Sequence, residues 1–452
     1  MKKVLLFFIF VISVVASNFI LTVEYAYLFS FFLIILFVNY FYERNKVFFF
    51  LFIFFFISFV WTVASLYYIE SGVYISEQFR YGKATNSLSR LVYFYLIFIF
   101  GVYFAFNTFF KRRKKDIQRK TYRLSQIEMF AHSAFVILLF LYIYVGLKNG
   151  FPLLMGLKRF SYWEELKSFQ KIIFLTPIVS FFIGIAYSFT RKKIYIYEIV
   201  TFLFMLVLFS EKFTGPFLVV IYYIMGYYVN ENIKSTNNNV GFGKTFLYVY
   251  VPILLFFLIA IVSIGYVLLS NVGSGELFDK ILDRALALQG HVWYGVDDCV
   301  INNKAKIDYT IFLRKNNEPQ SPGGLVYLMY LISKYDFIHA MREAGVRFTN
   351  GFPAITLISF GYGIGSFIQF CLGTMVGTFL FYLYEKIFQL KPFRLFIALV
   401  FFNNIITNVF VMGEVYFIYK LLSIISIVFF VFDFFVLKDY KIKIGNIWTL
   451  ST

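Results

Sequence analysis

VFFFLFIFFFISFVWTVASLYY, residues 47–68, contains no charged side chain. At ~1.5 Å per helical residue, a run of this length crosses the ~30 Å hydrocarbon layer of a bilayer. Its apolar residues are continuous rather than alternating, which excludes a strand of a membrane β-barrel. The stretch therefore reads as a membrane-crossing helix, and runs like it recur on both sides.

Working outward, the sequence predicts twelve spans, at 4–22, 25–42, 47–68, 91–110, 129–147, 171–190, 194–210, 216–230, 245–270, 357–384, 395–412 and 415–437. The composition agrees: 60% of the 452 residues are hydrophobic, 15% are charged, and mean hydropathy is +0.76. A soluble domain of this size needs a larger charged surface. The expected fold is an all-α polytopic membrane protein. Residues 1–270 form its first nine spans, 271–354 a long extramembrane loop, and 355–452 the last three spans. The basic start and short apolar stretch resemble a signal peptide, but NFILTV at 18–23 extends the stretch to spanning length, so an uncleaved first helix is expected.

A net charge of +18 would suggest nucleic acid in a soluble protein. Here it follows the positive-inside rule. With the N-terminus cytoplasmic, Lys2, Lys3 and the segments at 43–46, 111–123, 191–193, 231–244, 386–394 and 438–445 hold 23 of the 42 Lys and Arg. Every second loop is the basic one, which places both termini in the cytoplasm and the 271–354 loop outside. That loop balances nine basic against nine acidic residues. Its segments ELFDKILDRALALQG (276–290) and GLVYLMYLISKYDFIHAMREAG (324–345) read as amphipathic helices that lie on the membrane or cap the bundle. Cys299 and Cys371 make no metal spacing and are not expected to pair.

The candidate site residues face outward in this topology. Arg284 carries a planar fork suited to a phosphate or pyrophosphate, against the simpler reading of a solvated helix-end arginine. Gly295 would let backbone approach a ligand, and Trp293 and Tyr294 offer rings to a sugar face. Arg159, Lys212, Arg342 and Arg347 are further outward cations, each alone more simply read as solvated. His291 is a candidate general base, with the Asp297–Asp298 pair as the alternative base or a weak metal site. No metal ligand set and no cofactor motif is identified. GFGKT (241–245) lacks the first glycine of a phosphate loop. GYGIG (361–365), with Gly373 and Gly377, reads as close helix packing. Asn403, Asn404, Thr407 and Asn408 give one span a polar stripe, read as helix-to-helix hydrogen bonding before a transport path.

With these residues in view, the chain resembles the O-antigen polymerases of the Wzy type over its whole length. The likeness lies in span number, cytoplasmic termini, a late long outer loop and richness in Phe and Tyr. Arg284, ten residues, then Gly295 matches an Arg-x10-Gly pattern of some members. No second copy stands at residue 159, 342 or 347. Lys212 with Gly215 resembles a Ser-Arg-Gly turn, with Lys where Arg is usual. The resemblance implies a GT-C-like membrane enzyme of the bacterial inner membrane. It would join undecaprenyl-pyrophosphate-linked repeat units at the periplasmic face, without metal or nucleotide sugar, beside membrane lipids and a chain-length regulator. Arg284 would then hold pyrophosphate, Trp293 and Tyr294 would cover sugar, and His291 would act as base. An O-antigen ligase shares this architecture and remains an alternative, as does a polysaccharide flippase or other transporter.

Overall fold

The computed structural model describes residues 23–113, 124–156, 162, 166, 170–211, 214–234, 286–314, 322–343, 348 and 350–433. The expected spans 4–22 and 245–270 lie outside these residues. Helices α1 (Val23–Arg44), α2 (Lys46–Leu51) and α3 (Ile53–Glu70) lead to a hairpin of β1 (Tyr74–Ile75) and β2 (Arg80–Tyr81). Then come α4 (Ser87–Arg113), α5 (Leu124–Asn149), α6 (Gln170–Thr190), α7 (Ile194–Leu208), α8 (Thr214–Lys234) and α9 (Leu288–Ile301). The chain continues through α10 (Gly324–Ile332), α11 (Tyr335–Glu343), α12 (Ala354–Gln389), α13 (Pro392–Phe401), α14 (Asn408–Phe410) and α15 (Leu421–Val431). Among the described residues seven helical segments are long and apolar enough to cross a membrane. The protein is an all-α membrane protein, with one small hairpin among the described residues.

Several expected continuous spans are interrupted. Residues 47–68 divide at Phe52 (φ −98°, ψ 2°), whose ring stacks on Phe48 and Phe55. The span at 357–384 begins earlier, at Ala354, and Gly361 breaks its helical path with φ 67° and ψ −173°. A side chain at that φ would be strained, so only glycine takes the bend without cost. The expected span at 415–437 starts instead as a 3₁₀ turn, Val415–Tyr419, before α15. Between α13 and α14 lies a π-helical segment, Phe402–Thr407. There Asn403 accepts from Tyr222 (3.1 Å) and donates to the Phe174 carbonyl (3.2 Å). Phe174 sits in the turn that Pro177 loosens by bringing no N–H. Asn408 bonds back to its own helix, at the Asn404 carbonyl. The stripe is thus built into helix-to-helix and local hydrogen bonds.

Two parallel helix pairs form the frame. In α4 and α12, a Cβ on Gly101 would meet Phe370 O at 2.3 Å, and one on Gly373 would meet Phe98 O at 2.2 Å. In α6 and α8, Gly184 and Gly226 stand against the Tyr223 and Phe181 carbonyls in the same way. Small residues allow this approach, and in a bilayer close packing replaces the missing hydrophobic drive between helices. The phenylalanines fill the remaining space: Phe48, Phe52, Phe55, Phe59, Phe94 and Phe98 are all buried.

The connections distribute to two ends. At one end Lys386 and Arg394 converge on buried Asp433, and Arg191 meets Tyr227. At the other, here the hairpin end, lie residues 71–86, the start of α12, and Gly351, whose N–H bonds Met412 O at 3.2 Å. Buried Glu70 clamps this end. Its carboxylate accepts from Tyr27 OH (2.6 Å), Thr85 N and Oγ1 (both 2.9 Å), Ser87 N (2.9 Å) and Leu88 N (3.3 Å). The last two are free N–H groups of the first turn of α4, where a negative charge also meets the helix dipole. Glu70→Gln presents an amide NH₂ to some of these donors, and is expected to cost about 2–3 kcal/mol. Thermal unfolding in detergent checks this; an unchanged midpoint would mean the clamp carries no stability.

Candidate functional site

Helix α9 builds the site. Ser65 of α3 starts it, donating to Ala287 O (3.1 Å) while accepting from Gly290 N (2.7 Å). A Cβ on Gly290 would stand 2.7 Å from Ser65 Oγ, so this contact requires glycine. From Gly290 to Asp297 every residue is buried, against α3, α4, α10 and α12. A helix enclosed on all sides is a core element, while most of the amphipathic helix expected at 276–290 lies outside the described residues.

That enclosure changes the reading of four expected site residues. Trp293 is 1% exposed and donates to Ser87 O at 3.0 Å. Tyr294 accepts from Lys83 N at 2.8 Å, with Arg80 over its ring at 5.1 Å. These rings hold α4 and the hairpin and present no face to a sugar. Gly295 admits side chains rather than a ligand, since a Cβ there would stand 2.8 Å from both Gln78 Nε2 and Ile332 Cγ2. His291 is 1% exposed, and its Nδ1 pairs with Leu288 O at 2.8 Å. It cannot face a substrate directly. The sequence suggested an exposed loop because the segment is polar, but those polar groups are satisfied internally.

The two aspartates take different partners. Asp297, 0% exposed, receives a two-point grip from Arg90, Nε to Oδ1 at 2.9 Å and Nη2 to Oδ2 at 2.5 Å. Tyr362 OH, one residue after the Gly361 bend, donates to the same carboxylate. Asp298 is bound by Arg80 Nη1 (2.7 Å), Lys304 Nζ (2.9 Å) and Asn302 Nδ2 (2.7 Å). Burial by itself would raise the Asp298 carboxyl, but the bonds and charges of Arg80 and Lys304 outweigh it and hold the group below its usual range. As a base it is already engaged. A depressed folded value means its contribution is present above the unfolded value and lost as pH falls through the folded one. Asp298→Asn should therefore flatten the acid side of the unfolding temperature against pH; an unaltered curve would show that another group sets that limb.

Two further polar residues come from the hairpin. Gln78 Nε2 donates to His291 O at 2.6 Å and its Oε1 accepts from Arg80 Nε at 2.8 Å. Glu77 Oε2 stands 3.0 Å from His291 Nε2, although the angle between them falls short of a hydrogen bond. The cluster thus draws on the hairpin, α4, α9 and α12. Sequence reasoning missed Glu77, Arg80 and Arg90, whose only signal is an unusual density of Glu, Gln, Arg and Tyr in the short 72–90 connection, and Tyr362, which lies within the GYGIG segment read as helix packing. Of the remaining expected residues, Arg342 turns to Tyr330 OH at 3.1 Å. Arg159, Lys212, Arg284 and Arg347 lie outside the described residues. Among the described residues no three His, Cys, Asp or Glu side chains converge as metal ligands.

A family profile described as a family of unknown function (DUF6418) matches residues 318–450, which takes in α10 to α15 and Tyr362 but not α9. No curated protein matches the chain, and no solved structure does.

Proposed function

We propose that the chain is a glycosyltransferase of the bacterial inner membrane. It joins undecaprenyl-pyrophosphate-linked oligosaccharide units into a surface polysaccharide, from twelve spans with both termini cytoplasmic. The carrying observation is the buried to half-buried cluster of Arg80, Arg90, Asp297, Asp298, His291 and Glu77 at the hairpin end of the bundle. Burying charged groups is costly, and clusters of them gather at functional sites. The loops brought together at the hairpin end are those the charge count assigns to the outside, where lipid-linked glycans are joined. The Arg284-to-Gly295 spacing on which the resemblance rests supports the same reading.

In this reading Arg284, Arg159, Lys212, Arg342 and Arg347 are the cations available to a leaving pyrophosphate, whose growing charge needs donors aimed at it. The lipid tails lie along the bundle, and no cofactor takes part. The test is a surface-polysaccharide gel from a strain deleted for the gene, with the plasmid-borne gene as control. Lipid A–core bearing one repeat unit, without a ladder above it, is the expected result. Bare core with long polymer still on the lipid carrier makes it a ligase, and unjoined units trapped on the cytoplasmic side make it a flippase. An unchanged polysaccharide overturns the proposal. Arg284→Ala and Arg284→Lys, if both keep full polymer length at normal protein levels, remove Arg284 from it.

A further inference from the structure

We infer that Glu77, not His291, is the proton acceptor at this site, with His291 as the buried partner that positions it. This rests on the glycosyl-transfer reading. His291 Nδ1 faces the Leu288 carbonyl, which can only accept, so Nδ1 carries a hydrogen. Nε2 can hold the Glu77 carboxylate only by carrying a second one, as the imidazolium, which has no lone pair left to take a proton. Nε2 stands 3.0 Å from Glu77 Oε2, near but short of hydrogen-bond alignment, and both atoms are enclosed. The histidine side chain is 1% exposed and the glutamate side chain 17%, so a molecule arriving from outside meets the glutamate first.

The two residues are held together by tethers on each side. Ser333 Oγ donates to the Glu77 carbonyl, which fixes the hairpin to the α10–α11 junction. Gln78, next in the chain, donates to the carbonyl of His291 itself. The edge of the His291 ring is set against Phe348, with centroids 4.6 Å apart. A Glu–His pair fixed from both backbones and slightly misaligned is what a resting site presents when its hydrogen bonds tighten only around substrate. The hairpin adds a reason for this placement. Phe79 packs edge-on against Phe337 at 5.1 Å and lies under Lys334 Nζ at 4.6 Å, so Glu77 sits on a braced turn, not a loose one.

The step balances as follows. The acceptor sugar hydroxyl gives its proton to the Glu77 carboxylate while its oxygen bonds to the donor anomeric carbon. The bond from that carbon to the pyrophosphate oxygen breaks, and its electron pair leaves with undecaprenyl pyrophosphate. The second N–H of the imidazolium, at His291 Nε2, donates to the carboxylate once the pair aligns around substrate and touches no reacting atom, so His291 is a positioning residue.

Wild-type protein and variants in liposomes, supplied with undecaprenyl-pyrophosphate-linked repeat units, test this. Glu77→Gln is expected to lower kcat about 10²–10⁴-fold with KM little changed. Sodium formate should restore part of the rate to Glu77→Ala and none to wild type, a rescue that a merely structural residue does not show. His291→Gln should lower kcat less than Glu77→Gln does and leave KM in place. Unfolding temperatures establish that each variant is folded; should Glu77→Gln fail to fold, the formate response of Glu77→Ala and the rate of Glu77→Asp decide. An active wild type with Glu77→Gln at more than half its rate, or Glu77→Ala indifferent to formate, overturns the Glu77 assignment alone. A folded but inactive wild type overturns the glycosyl-transfer reading and this assignment with it.

Discussion

Arg90→Met is expected to destabilise the protein by about 3–5 kcal/mol, the range for removing one partner of a buried ion pair. Asp297 is 0% exposed and loses the two-point grip of Arg90 Nε and Nη2, keeping only Tyr362 OH. The charge that remains has no water to turn to, and its desolvation is then uncompensated. Arg90 also donates to Thr85 O at 2.9 Å, so the turn that brings the hairpin into α4 loosens too. Arg90→Lys should fall between, because it restores one point of contact and not the fork. The informative variant is the double, Arg90→Met with Asp297→Leu. Replacing both members of a buried pair by apolar side chains is often neutral, so most of the lost stability should return. Thermal unfolding in one detergent compares all three. A single variant within about 1 kcal/mol of wild type, below the cost expected for an unpaired buried charge, would show that the pair does not hold α9 in place. A double variant as unstable as the single would locate the cost in lost packing of the arginine stem instead.

How far this architecture could be read in advance depends on which forces act locally. The run at 129–147 foretold Leu124–Asn149, and 171–190 foretold Gln170–Thr190, because a long apolar helix in lipid satisfies its own backbone and needs no partner to exist. The breaks were not legible, since the residues that make them are not the usual punctuation. Phe52 interrupts a run of phenylalanines, whereas Pro177 lies within α6 without ending it. Gly361 was read with Gly373 and Gly377 as close packing, yet it bends the helix begun at Ala354 and so aims Tyr362 at Asp297. The close packing read into Gly373 and Gly377 was legible from their spacing alone. In the site, the sequence singled out His291, Trp293, Tyr294, Gly295 and Asp298, and all five stand in one helix. Their environment was the part that could not be read. Partners for His291, Asp298 and the neighbouring Asp297 come from Glu77, Arg80 and Arg90, in a connection that is distant along the chain and becomes adjacent only when α3 and α4 pack on α9. Polar residues in a segment between spans suggest exposure; here the same residues satisfy one another and permit burial.

Gly373→Leu is expected to have the other large effect, because it acts on backbone that cannot give way. A Cβ at this position would stand 2.2 Å from Phe98 O, 3.0 Å from Val102 N and 3.1 Å from Gly101 Cα. Those atoms belong to the axis of α4, so relief requires the two helices to separate, not a side chain to turn. One turn further, a Cβ on Gly377 would meet Val102 O at 2.1 Å, so the helices cannot pivot about that point either. Overpacking commonly costs about 1–3 kcal/mol when side chains can adjust, and the absence of such an outlet puts Gly373→Leu at the upper end or beyond. The consequence reaches the site, since α4 carries Arg90 and α12 carries Tyr362, the two groups that meet on Asp297. Separation of the helices therefore draws apart the donors of the buried carboxylate and adds the loss of that network to the loss of packing. Gly363→Ala serves as the control on the same helix: nothing lies within 4 Å of a Cβ there. Its backbone gains the lower entropy of alanine, so it should be neutral or more stable by about 0.5–1 kcal/mol. Accumulation in the membrane and the unfolding temperature in detergent measure both. If Gly373→Leu matches wild type while Gly363→Ala behaves as stated, α4 and α12 do not approach as closely as their backbones indicate. If both variants lose stability equally, the effect belongs to glycine content and not to the contact.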